Sequence, residues 1–167
     1  VKYYCLFHDW DETDLPEFVL LSETCDVQAF YRREFWKIKQ HTILRIKDRI
    51  SDYRFPGILL NPFPLIHASL GSVFACYGFY GVEKYIALLD SKKEKAELYH
   101  FKQFYTIHTK VEDRGISYHI SYPEREIKDR HMFYLFDQQT SYFVCSLALL
   151  ESLLRQGLTG VQFKELK

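Results

Sequence analysis

Apolar and polar residues alternate over short runs through most of the chain, and two longer apolar stretches carry helical spacing instead. Lys2-Tyr3-Tyr4-Cys5-Leu6-Phe7 opens as an aromatic strand. An acidic loop separates it from Phe18-Val19-Leu20-Leu21, a second strand. Thr42 to Ile46 places Leu44 and Ile46 two apart, the period of a half-buried strand. Residues 29–39 admit two readings. Tyr31 and Phe35 stand at helical spacing, but with Phe30 and Trp36 beside them the aromatic density also suits a bent strand.

The two helical stretches end in the same way. Gly78-Phe79-Tyr80-Gly81-Val82 recurs as Gly157-Leu158-Thr159-Gly160-Val161. Ahead of the first copy, Ile58-Leu59-Leu60-Asn61 leads to a helix predicted from Pro64 to Tyr77. Proline suits a first helical turn, and Ile66, Leu70, Val73 and Tyr77 make one apolar stripe. Ahead of the second copy, Tyr142-Phe143-Val144-Cys145 leads through Ser146, a suitable N-cap, to a helix over Leu147–Gln156. Its predicted stripe is Leu147, Leu150 and Leu154. Gly78 and Gly157 are placed to stop the helices, and strands follow at Val82–Leu89 and Gln162–Leu166. One strand–helix–Gly-x-x-Gly-Val–strand unit is therefore expected twice.

Between the two units come a charged linker, Ser91 to Lys95, and aromatic-rich strands at 98–101, 104–108, 116–120 and 131–136. Glu112-Asp113-Arg114-Gly115 reads as a hairpin turn and Pro123 to Arg130 as a second charged turn. The sum is an α+β fold: a mostly antiparallel sheet of about six to nine strands with two or three helices. At 167 residues, with no Pro/Ser/Gly-rich linker, residues 1–167 form a single domain.

Composition narrows the classes. An aromatic share of 17% can fill a large core. Lys plus Arg and Asp plus Glu both total 22, and this balance argues against a dedicated nucleic-acid binder. Cys5, Cys25, Cys76 and Cys145 are far apart, without zinc-ribbon spacing, and read as reduced thiols of a cytoplasmic protein. No stretch approaches the ~20 apolar residues that span a membrane, and no signal-peptide pattern is visible.

The candidate chemistry is thin. His100, His108 and His119 lie on predicted strands and could bind a metal only from one sheet face; scattered strand histidines are the simpler reading, so no metal or other cofactor is expected. Cys145 precedes a helix N-terminus, which can activate a thiol, but it also ends an apolar strand, where cysteine packs. Both Gly-x-x-Gly-Val turns follow helices, so neither presents a helix N-terminus to phosphate. Two charged features remain. Asp9-Trp10-Asp11-Glu12-Thr13-Asp14 surrounds one tryptophan with acids, a solvated loop or an interaction loop anchored by Trp10. Residues 30–54 interleave Arg32, Arg33, Lys37, Lys39 and Arg45 with aromatics, an ordinary amphipathic face or a surface for single-stranded nucleic acid.

A family resemblance enters at the C-terminal end. Phe133-Tyr134-Leu135-Phe136, a polar turn, Phe143-Val144-Cys145-Ser146, a Leu-rich helix and Gly157-Leu158-Thr159-Gly160-Val161-Gln162-Phe163 resemble the family-eleven immunity proteins of bacterial polymorphic toxin systems. The Tyr-rich first strand, the acidic loop and the Leu60–Val82 stretch extend the likeness loosely over most of the chain. Members often carry Arg where Tyr134 stands. The resemblance implies a non-catalytic inhibitor that binds and neutralises a cognate toxin. No catalytic residue is carried over, because the shared motifs are structural. If the toxin is basic, Asp9, Asp11, Glu12 and Asp14 are the expected contacts, with Trp10 as anchor. Aromatic edge strands make a homodimer a second candidate assembly. A small enzyme using Cys145 or a strand histidine, and a nucleic-acid module using residues 30–54, are the competing classes.

Overall fold

A computed structural model describes residues 1–9, 15–19, 26–47, 53–79, 81–121, 124–138 and 140–167. The chain begins with β1 (Tyr3–His8), β2 (Phe18–Val19), helix α1 (Val27–Arg32) and β3 (His41–Ile46). Next come β4 (Ile58–Leu59), β5 (Leu65–His67), helix α2 (Gly71–Cys76) and β6 (Glu83–Asp90). Then follow β7 (Lys95–Lys102), β8 (Thr106–His108), β9 (Val111–Asp113) and β10 (Ser117–Ile120). Short α3 (Glu124–Ile127) precedes β11 (Met132–Asp137), β12 (Thr140–Ser146), α4 (Leu147–Arg155) and β13 (Val161–Leu166). The fold is α+β, as expected, with antiparallel pairing in the majority. Instead of one sheet of six to nine strands, the described residues form two sheets. One has the order β8-β11-β12-β1-β13-β10-β9 and the other β2-β3-β6-β7-β5-β4. The strands not expected from the sequence, β5 and β9, have three residues each, too few to show a period.

The seven-stranded sheet is apolar on both faces. Met132, Tyr134, Phe143 and Cys145 enter a core shared with α2 and α4. Their neighbours Phe133, Leu135 and Val144 enter a core on the opposite face. Double burial explains why β11 and β12 read as continuous apolar runs. The six-stranded sheet packs Leu44, Ile86, Leu88, Tyr99 and Phe101 against Phe30 and Phe35, from α1 and the turn after it. The ambiguous 29–39 stretch is thus a short helix followed by a turn. Asp26 caps it by accepting the Ala29 N–H at 3.1 Å, and Phe35 stacks on Phe101 with centroids 4.8 Å apart.

The predicted helix over Pro64–Tyr77 begins later than expected. Leu65 to His67 is strand β5, and Ala68–Leu70 forms a 3-10 turn leading into α2. Pairing of Ile66 and His67 with His100 and Tyr99 of β7 overrides the local helical period. In α4, Ser146 is the N-cap as predicted, accepting the Leu149 N–H. The buried stripe is Leu149, Leu150 and Leu153; Leu154 turns outward at 46% exposure. The residues after Pro123 that were expected as a plain turn include α3.

Both helices connect strands that flank an antiparallel third: β7 lies between β5 and β6, and β1 lies between β12 and β13. The helices meet where the Tyr77 hydroxyl donates to the Ala148 carbonyl at 2.8 Å. Their closing turns differ. Gly78 and Gly157 are both left-handed, but of the second glycines only Gly160, at φ 85°, is. Among the described residues, no helix is long and apolar enough to cross a membrane.

Candidate functional site

Of the acidic loop expected to carry contacts, Trp10, Asp11, Glu12 and Asp14 lie outside the described residues. Asp9 is described, and its role is internal. Its carboxylate accepts the Gln162 side-chain amide at 2.8 Å, and its N–H donates to the Gly160 carbonyl at 3.3 Å. Asp9 therefore moors the start of the loop to the Gly157–Val161 turn.

The basic segment is dispersed by folding. Phe30 and Phe35 are buried in the core. Lys37 pairs with Glu34 at 2.7 Å and Lys47 with Glu17 at 3.2 Å. Arg33 turns inward over the Tyr134 ring, 3.8 Å from its centroid. Tyr31 and Trp36 remain exposed, Trp36 at 78%. A continuous basic and aromatic stripe is not what the described residues of this segment present.

The other candidates are also separated. His100 lies in the six-stranded sheet, while His108 and His119 lie on β8 and β10 with four strands between them. His100 bonds Glu83 at 3.2 Å, and Glu83 also receives the ammonium of Lys102. Burial pushes the Glu83 carboxyl up, but Lys102 and His100 outweigh it and hold the group below its usual range. Cys145 is fully buried, and burial raises its thiol well above the ordinary value. Desolvation thus defeats the helix N-terminus as an activator of this cysteine.

The sequence reading missed three arrangements. In the first, the His67 ring bonds the Ser69 hydroxyl at 2.7 Å through Nδ1 and the Glu97 carboxylate at 3.2 Å through Nε2. This order resembles nucleophile, base and orienting acid. The same Nδ1 also takes the Ser69 backbone N–H at 3.2 Å, so His67 serves as cap to the 3-10 turn. His67-x-Ser69 is visible in the sequence, whereas Glu97 arrives only through the pairing of β5 with β7.

The second is a sheet face that no described element covers. Register places Ile43, Ala87 and Leu98 in one row across β3, β6 and β7, and Arg45, Leu89 and Ala96 in the next. Ile43 is 59% exposed and Leu98 43%. Alternating Leu44 and Ile46 fill the core on the opposite face, so the pattern of β3 pointed to one buried face but not to an apolar row on the other.

The third is a cavity of about 450 Å³ between the C-terminal end of α1, the Leu60–Pro64 segment, β1 and the β11–β12 hairpin. Arg33, Tyr134, Phe136 and Ser141 are among its walls. No family model, no curated protein and no solved structure matches the chain.

Proposed function

We propose that this chain is a non-catalytic immunity protein that binds a cognate bacterial toxin and neutralises it in the cytoplasm. The resemblance over Phe133–Phe163 supports the reading, and those residues build the β11–β12–α4–β13 frame around the central strand. The single structural observation that favours a binding role is the uncovered face of the six-stranded sheet. Exposed aliphatic side chains aligned across adjacent strands offer a flat, rigid and partly dehydrated surface to another protein. The two crossovers, β5–α2–β6 and β12–α4–β13, are read as one repeated unit whose helices pair.

The acidic loop remains the proposed toxin contact, with Trp10 as anchor and Asp11, Glu12 and Asp14 as the steering charges. Asp9 belongs to the loop but acts through its bond to Gln162, so it holds the base of the loop. The test is co-expression with the neighbouring gene in bacteria. Toxicity of the neighbour alone, relief by this chain and co-purification of the two proteins are expected. A harmless neighbour, or toxicity without relief, would overturn the proposal. Replacing Asp11, Glu12 and Asp14 by serine while keeping Asp9 then tests the loop; unchanged affinity would remove it from the interface.

A further inference from the structure

Arg33 combines three features that ordinary packing does not require together. It closes α1 in a left-handed conformation, φ 55° and ψ 38°, a position that favours glycine and costs a long side chain roughly 1 kcal/mol. Its guanidinium lies 3.8 Å from the centroid of the buried Tyr134 ring, on the far sheet. Among the described residues, no carboxylate pairs with it and no protein acceptor takes a hydrogen bond from its side chain. A guanidinium carries five N–H donors, and stacking satisfies none of them. Burial accordingly lowers the Arg33 pKa, with the Tyr134 hydroxyl acting weakly in the opposite sense.

The unused donors border open space. Arg33 lines the 450 Å³ cavity and also a second of about 470 Å³ that shares Tyr31, Phe136 and Ser141. The size falls in the range of small-molecule sites. Aromatic walls come from Tyr31, Phe63, Phe136 and Phe143, and exposed Ser141 lies on the same face of β12 as Phe143. Among the described residues, the lining of this cavity contains Arg33 and the titratable His8 and no carboxylate.

We infer that this cavity is a binding site for a small organic acid with an aromatic body, whose carboxylate pairs with the Arg33 guanidinium. One half-buried cation, its open donors still reached by solvent, balances one anion. A monoanionic carboxylate meets the fork in bidentate geometry, whereas a phosphate dianion would leave a surplus charge in an aromatic cleft. The Tyr134 ring under the guanidinium holds it in place, and the Ser141 hydroxyl can donate to the outer face of the carboxylate. This site is separate from the toxin-binding proposal, which places its contacts on the acidic loop and the open face of the six-stranded sheet.

The test titrates the whole chain, with arginine side chains ¹⁵N-labelled, against phenylacetate, phenylacetamide and inorganic phosphate. Phenylacetate should shift the Arg33 Nε–H signal and bind about ten- to a hundredfold more tightly than phenylacetamide, the span of a charge-assisted hydrogen-bond pair. Arg33→Gln should erase that preference. Because Arg33 also bridges the two sheets, Ser141→Trp is the second variant: it blocks the rim, keeps Arg33 and should abolish acid binding at an unchanged unfolding midpoint. Equal binding of acid and amide, or no acid binding up to ~5 mM, would overturn the site. So would tighter binding of phosphate than of phenylacetate, or acid binding that survives Ser141→Trp.

Discussion

Gly160→Ala isolates the cost of one close backbone approach. Gly160 sits at φ 85°, and a Cβ there would come within 2.5 Å of Pro56 Cβ and 2.6 Å of the Ile58 carbonyl oxygen. Both are parts of the β4 approach that cannot swing away as a long side chain can. A left-handed alanine costs about 1 kcal/mol, and forcing an extra methyl into a filled space adds about 1–3 kcal/mol. The expected loss is therefore about 2–4 kcal/mol by urea unfolding, with an unchanged slope. Gly115→Ala is the matched control. Its φ of 79° imposes the same backbone strain, but nothing lies within 4 Å of the added methyl. That variant should lose only about 1 kcal/mol. If the two variants agree within ~0.5 kcal/mol, the steric part of the reasoning is wrong. Because the Asp9 N–H donates to the Gly160 carbonyl, the same variant should loosen the mooring at Asp9 and, if the proposed immunity function holds, weaken relief in co-expression.

Three further outcomes follow from separate parts of the molecule. Ile43→Asp changes an exposed position on the uncovered face, so unfolding stability should move by less than ~0.5 kcal/mol while toxin capture falls; unaltered capture would take this face out of the interface. In native protein, alkylation mapped by mass spectrometry should reach exposed Cys76 and spare Cys5 and Cys145 until denaturant is added; Cys5, for example, is pushed by burial up to about 12, and modification of either buried thiol at the rate of Cys76 would refute that protection. Glu83→Gln leaves the Lys102 ammonium, 4% exposed, without its counter-ion and should cost about 2–3 kcal/mol near neutral pH. Because the folded Glu83 carboxyl is held below its ordinary value near 4.5, its contribution is full above that value and fades as pH falls through the folded one. The gap between parent and variant should narrow toward acid, and parallel pH curves would count against the pairing.

Helix α4 and the long strands were legible because their periods are local. The β3 alternation, the Ser146 cap and the glycine stops at 78 and 157 each follow from a few adjacent residues. What was hidden depends on partners distant in sequence. Leu65 to His67 carries a helical pattern but becomes a strand because β7 offers an open edge. Leu149 and Leu153 face the core rather than Leu147 and Leu154, because packing against the seven-stranded sheet sets the rotation of α4. The division into two sheets is also non-local. It follows from β1 pairing with β12 and β13, a connection between the two ends of the chain that no periodicity reports.

The same distinction separates the legible from the hidden parts of the candidate sites. Asp9 was visible as charge, yet its function in the fold depends on Gln162, brought beside it by antiparallel pairing of β1 with β13. Arg33 was read as one member of a basic segment, on the assumption that consecutive charges share a surface. A left-handed residue at the end of α1 breaks that surface and sends the guanidinium toward Tyr134 instead. Tyr134 in turn faces that cation because β11 alternates its side chains between two cores. A charged side chain that gives up part of its solvent without meeting an opposite charge raises its own energy, and half-buried Arg33 does so either for the mechanical stack on Tyr134 or for the use of its open donors. Arg33→Gln keeps an amide near the ring and removes the charge, so its stability and its acid preference answer these two possibilities separately. Retained stability with lost acid selectivity would assign the cation to ligand binding; lost stability together with a parent protein that ignores acids would assign it to joining the sheets.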